Sequence, residues 1–133
     1  MILIDSHILL GVLRLTDFSV PSEQLLALEK EELRFATVAS IWELALKYRI
    51  GRLELREPPE RMPELLVAAG FRVLSISPEH ALEGAKQNAK TKDPFDRLLL
   101  GVCKVEKMKL MTLDRALLDH PLVWKPKRAR TPK

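Results

Sequence analysis

Asp5, Glu43, Asp96 and Asp114 are the residues of this chain whose type and position suit joint chemistry. Asp5 directly follows the apolar run Ile2-Leu3-Ile4, which places it at the carboxyl end of a strand, where open α/β sheets gather their functional groups. Asp114 stands just past a second apolar run, Leu110-Met111-Thr112. Glu43 and Asp96 fall in the first turns of helical segments that follow a strand or a loop. Four carboxylates at one crevice repel one another, and a hard divalent cation with oxygen ligands relieves that repulsion. Mg²⁺ is therefore the expected cofactor, with Mn²⁺ as its substitute and all four acids as ligands. Such an ion activates water and binds phosphate oxygens, and two ions roughly 3.5 to 4 Å apart can share these tasks. Phosphodiester hydrolysis follows as the natural reaction, since no Ser, His or Cys triad pattern offers another nucleophile.

Each acid also has a local explanation. Ser40-Ile41-Trp42-Glu43 has the form of a capping box, in which Glu43 bonds back to the Ser40 amide. Asp96 can complement a helix dipole while Asp93 caps the same helix. Asp114 can serve as an N-cap and Asp5 as a turn residue. Asp5 is the hardest to reduce in this way, because an acid directly after a core strand is desolvated unless it finds a partner.

The elements that must position these acids alternate along the chain. Apolar runs at 1–4, 34–38, 72–76 and 109–112, with a weaker one at 122–124, read as strands covered on both faces. Helical segments lie between them. Ser22 and Ser40 are candidate N-caps, Gly51 and Gly70 candidate stops, and Glu60 or Pro63 a candidate start. Ser77-Pro78 and Asp93-Pro94 both have the cap-then-proline form, and Asp114 opens a short last helix that His120-Pro121 ends. Alternating strands and helices predict an α/β fold with a doubly wound, mostly parallel sheet of about five strands flanked by helices. The whole reads as one domain over 1–124, followed by a flexible basic tail over 125–133.

With 133 residues, 47% of them hydrophobic, the chain can bury a core without metal or disulfide staples. The lone Cys103 lies among Leu99, Leu100 and Val102, so a buried thiol in a reducing cytoplasm is expected. The start MILIDSHILL has no basic n-region, which argues against a signal peptide. No apolar run reaches the roughly 18 residues of a bilayer span, so no membrane association is expected. The net charge of +4 fits either an anionic partner or a solubilising tail.

Four blocks carry a resemblance. ILIDSHILL, SIWELALKYRIGRL, KDPFDRLLLG and LMTLDRAL are similar, in order and spacing, to the blocks of the PIN-domain ribonuclease toxins of the VapC family, from bacterial and archaeal toxin–antitoxin modules. The resemblance runs nearly end to end and implies a PIN-like fold. It implies an Mg²⁺ site formed by Asp5, Glu43, Asp96 and Asp114, with Asp5 and Asp96 as the principal ligands. Thr112 resembles the family's hydroxyl residue that orients a carboxylate or a water. Asp93 is read as the helix cap, and His7 as structural. Ser6 replaces the commoner Thr and keeps the hydroxyl. The implied function is a Mg-dependent endoribonuclease acting as a toxin on cellular RNA, with a cognate antitoxin and a homodimeric state. Leu9, Val12, Leu13 and Leu25 are candidates for an apolar antitoxin groove.

A carboxylate site that takes a polyanion needs cations at its rim, and Lys47, Arg49, Arg52, Lys92 and Arg97 are close enough in sequence to supply them. With aromatics at 5%, base stacking contributes little. The competing readings are a catalytically silent PIN-like interaction module and a DNA- or structure-specific PIN nuclease. A haloacid-dehalogenase-like phosphatase expects a second Asp two places after the first, where this chain has His7.

Overall fold

Four short strands form one parallel sheet in the order β3-β2-β1-β4 in the computed structural model, which describes residues 1–87 and 91–126. β1 (Ile2–Ile4) pairs with β2 (Arg34–Thr37) on one side and with β4 (Lys109–Met111) on the other, while β3 (Arg72–Leu74) extends the sheet beyond β2. Successive side chains of a strand point to opposite faces. Accordingly Ile2, Ile4, Ala36 and Met111 enter one apolar cluster, and Leu3, Phe35 and Leu110 enter the other. Burial on both faces is why these strands are apolar at consecutive positions.

Helices α1 (Ser6–Val12), α2 (Ser22–Lys30), α3 (Val38–Arg49) and α4 (Met62–Ala68) supply the first cluster, through Ile8, Leu9, Leu28, Leu44 and Leu66 among others. A single 3₁₀ turn at Pro59–Arg61 leads into α4. α6 (Pro94–Glu106) covers the opposite face with Leu99, Leu100, Val102 and Cys103, and α5 (Pro78–Lys86) packs on α6. Burial pushes the Cys103 thiol up to about 12.

The α/β class and the parallel sheet agree with the sequence reading, and several boundaries differ. The fifth strand contracts to one parallel bridge, Val123 opposite Leu110, held by hydrogen bonds of 2.8 Å from Leu110 N–H to the Leu122 carbonyl and from Trp124 N–H to the Leu110 carbonyl. The Leu122 and Val123 amides are turned back onto His120, to its Nδ1 at 3.1 Å and its carbonyl at 3.0 Å, which leaves little for a longer ladder. Ser22 is the first residue of α2, whose cap position is Pro21 without a side-chain bond. α3 starts at Val38 and is capped by Thr37, whose hydroxyl accepts from Ser40 N–H at 3.2 Å. The Ser40–Glu43 capping box therefore does not form, and the Ser40 hydroxyl is buried without a partner. Asp114 opens no helix: Leu117 N–H bonds the Asp114 carbonyl and His120 N–H the Leu117 carbonyl, giving two consecutive turns. Ser77 and Asp93 cap α5 and α6 as their sequence form predicts. Of the basic tail, Lys125 and Pro126 are described, and 127–133 lie outside the described residues.

Candidate active site

β1 has β2 on one side and β4 on the other, so the chain winds away from it in both directions and a crevice opens at the carboxyl ends of β1 and β4. A cleft of about 700 Å³ occupies that place, and Asp5, Glu43, Asp93, Asp96 and Asp114 all line it. The four acids singled out from the sequence thus share one cleft with Asp93.

Asp5 is the turn from β1 into α1. Its extended backbone makes it the N-cap of α1, and its Oδ1 accepts from Ile8 N–H at 2.8 Å. It is 8% exposed. Burial raises its pKa and the neighbouring Glu43 charge adds to the rise, while the Ile8 N–H, the Thr112 hydroxyl and His7 oppose it; the balance is upward. Thr112, buried just after β4, also accepts from Asp114 N–H at 3.1 Å. One hydroxyl thus ties the β4 loop to the Asp5 carboxylate.

Glu43 projects from the second turn of α3, not the first, because the helix begins at Val38. It is buried, and both of its oxygens are engaged: Ser6 Oγ donates to Oε1 at 2.5 Å and Lys47 Nζ to Oε2 at 2.8 Å. Asp114 accepts from Ala116 N–H at 2.9 Å and is otherwise exposed. Asp93 caps α6 through Phe95 N–H at 2.8 Å and Asp96 N–H at 3.4 Å. Asp96, in the first turn of α6, accepts from the Thr91 hydroxyl at 3.4 Å, its one side-chain partner among the described residues. Burial, then the charges of Asp93, Asp114, Asp5 and Glu43, push its pKa up to about 7.

These groups offer oxygen donors alone, the set that hard divalent cations take. A carboxyl held near 7 by burial first and by its acidic neighbours second marks a place where a cation would be welcome. The donor chemistry fits Mg²⁺ or Mn²⁺, although among the described residues no three Asp, Glu, His or Cys side chains are grouped closely enough to hold an ion as they stand.

The five cations expected at the rim separate. Lys47 and Arg52 line the cleft. Arg49 pairs with Glu60. Arg97 donates to the carbonyls of Gln87 at 2.7 Å, Ala85 at 3.2 Å and Thr91 at 3.4 Å, and so fastens the chain between α5 and α6. Lys92 is exposed beside Asp93 and outside the cleft lining. His7 lines the cleft and packs edge-on against Phe18, with centroids 4.1 Å apart. Sequence reasoning missed the two contacts that hold Glu43. The Glu43–Lys47 spacing of four was a readable signal for one of them; the bond from Ser6 appears only once the fold brings α1 beside α3.

A family model described as PIN domain matches residues 2–121. Among solved structures, the chain is similar to one described as a toxin-antitoxin complex from Klebsiella pneumoniae, with TM-score 0.65 and 18% identity over 97% of this chain and 100% of that one. It is also similar to VapC20 of Mycobacterium tuberculosis, described as a sarcin-ricin loop cleaving toxin, with TM-score 0.60 and 11% identity over 96% of this chain and 100% of that one. At such identities the likeness is one of fold. Among curated protein sequences none matches the chain.

Proposed function

The chain belongs to the PIN domain family, and on that premise we propose that it is a metal-dependent endoribonuclease acting as the toxin of a toxin–antitoxin pair. The observation that carries the reading is the cleft at the carboxyl ends of β1 and β4, which five carboxylates line and in which Asp96 is pushed up to about 7. Asp5 and Asp96 are the principal ligands for Mg²⁺, with Mn²⁺ as a substitute, and Glu43 and Asp114 complete the acidic set. When bound, the ion supplies an activated water and stabilises charge on the phosphoryl oxygens. The chain's own groups fix the carboxylates: Ile8 N–H and the Thr112 hydroxyl orient Asp5, Ser6 and Lys47 hold Glu43, and Asp93 sets the first turn of α6 under Asp96.

The two similar structures, one described as a toxin-antitoxin complex and one as a sarcin-ricin loop cleaving toxin, favour an RNA substrate and an antitoxin partner. A hollow of about 440 Å³ lined by Val12, Phe18 and Leu25 together with Arg14, Asp17 and Arg56 suits an antitoxin segment that is part apolar and part charged. Leu9 is fully buried and Leu13 lies outside that lining, so they leave the candidate groove. Val38, Trp42, Leu46 and Ile50 form an exposed apolar stripe on α3 and just past its end, and support a homodimer. No described helix is long and apolar enough to cross a membrane, and a lone buried thiol agrees with a cytoplasmic protein.

The test is hydrolysis of RNA by the purified chain with Mg²⁺ or Mn²⁺ and with chelator. Cleavage should need the ion and vanish in Asp5→Asn and in Asp96→Asn. Either variant at full activity, or an inactive wild type with both ions supplied, overturns the reading.

A further inference from the structure

We propose that Lys47 is an exchangeable counter-ion: its ammonium neutralises Glu43 in the free protein and transfers to a backbone phosphate when a strand enters the cleft. This rests on the ribonuclease reading and adds to it how an acidic cleft admits a polyanion.

The first support is geometry. Lys47 Nζ lies 2.8 Å from Glu43 Oε2, and the Lys47 side chain is 49% exposed against 11% for Glu43. The ammonium therefore sits at the boundary between a buried anion and the open cleft that both residues line. Its four-carbon stem is flexible and its head is half exposed, so the ammonium can turn from Glu43 toward a phosphate in the open cleft.

The second support is what remains behind. Glu43 Oε1 keeps its hydrogen bond from Ser6 at 2.5 Å, so the carboxylate is still held when Oε2 is released. Two partners on two oxygens give one fixed contact and one replaceable contact. A cation bound among the acids would remove the need for Lys47 at Oε2, so loading the site and freeing the ammonium favour one another.

The third support is that the other cations are committed elsewhere or are not paired to an acid of the cleft. Arg97 is spent on three carbonyls and Arg49 on Glu60, while Arg52 lines the same cleft but, among the described residues, pairs with none of its acids. Lys47 is the described cation paired to an acid of the cleft itself.

The experiment uses an uncleavable 2′-O-methyl RNA oligonucleotide and, separately, Mn²⁺ followed by its electron-spin resonance in RNA-free protein. Lys47→Met should weaken RNA binding about tenfold and flatten the dependence of log affinity on log salt by roughly 0.7, one single-strand phosphate contact. The same variant should bind Mn²⁺ several-fold more tightly, because Glu43 loses a competitor. Lys47→Arg should restore RNA binding. A structural role for Lys47 would lower both affinities together, and that result overturns the proposal. The double-mutant cycle with Glu43→Gln adds a second criterion. Glu43→Gln should strengthen RNA binding in the wild-type background and do so much less in Lys47→Met, whereas additive effects would mean a general field and no exchange. A wild type that fails to bind the oligonucleotide refutes the ribonuclease reading; a wild type that binds it no better than Lys47→Met refutes the exchange alone. Thermal melts of each variant verify folding, and Lys47→Gln repeats the test if Lys47→Met does not fold.

Discussion

Helix α6 serves two regions of opposite character. Its first turn carries Asp96 into a cleft of repelling acids, and its middle carries Gly101 against α5, where an added Cβ would lie 2.4 Å from the Gly84 nitrogen and 2.4 Å from the His80 carbonyl oxygen. In that seam the polar groups of His80 are satisfied. Its Nδ1 accepts from Ser77 N–H at 3.0 Å, which leaves Nε2 to donate to Glu106 at 2.8 Å, and its own amide donates to the Ser77 hydroxyl at 3.2 Å. The cleft stores charge that opposes folding, whereas the seam stores close packing that favours it. One helix thus links a region kept for chemistry to a region kept for stability.

The largest expected effect separates the two. Asp96→Asn should lower metal-dependent RNA cleavage by about 1,000-fold, roughly 4 kcal/mol in activation free energy. Its metal-free melting temperature at pH 8 should stay level or rise, since a repelled carboxylate is gone. A variant that loses activity by melting earlier would break the comparison. Next comes Gly101→Ala, which should cost about 3 kcal/mol in urea unfolding because backbone stands where the methyl must go. Gly84→Ala, whose Cβ meets the Arg97 carbonyl at 2.9 Å, should cost less. Both variants should keep the wild-type pH dependence of cleavage at temperatures where they remain folded.

A pH series sharpens the contrast. The Asp96 carboxyl rises from an ordinary value of 3.8 to about 7 on folding, so the folded state binds this proton more tightly than the unfolded one. The stability it contributes is whole below pH 3.8 and is lost as pH rises through 7. The metal-free melting temperature should therefore show a downward component between pH 4 and 7 that is absent from Asp96→Asn. At pH 8, Mg²⁺ at about 100 times its dissociation constant should return roughly 2.7 kcal/mol. The smallest effect is Ser77→Ala, which removes a cap at a cost of about 1 kcal/mol and should leave cleavage unchanged. Calorimetry and an RNA cleavage assay on the same sample would check both halves of that statement.

Local signals survived the passage from sequence to structure. Ser77-Pro78 and Asp93-Pro94 are legible because a cap and a proline act on the next few residues alone. Asp5 is legible because an acid after a core strand has few places to go. The start of α3 was not legible: Val38 and Ala39 continue an apolar run, so Thr37 reads as strand and Ser40 as the cap. With that boundary went the capping role given to Glu43. Asp114 illustrates the same limit, since its turn at Ala116 looks locally like a helix start, and nothing after it sustains a helix. The bond between Ser6 and Glu43 joins residues 37 apart, which no spacing rule reaches. The rise of the Asp96 pKa is collective in the same way, because it depends on burial in the folded cleft and on four other acids that the fold brings near.

The sealed environment of Cys103 has a practical consequence. Fully buried on the core face of α6 with its thiol pushed up to about 12, it presents almost no thiolate to a maleimide dye at neutral pH. The chain therefore behaves as a cysteine-free host for site-specific labelling. A single Cys introduced at an exposed rim position such as Arg52 would carry the fluorophore alone, and would report the arrival of a strand at the cleft without removal of the native thiol.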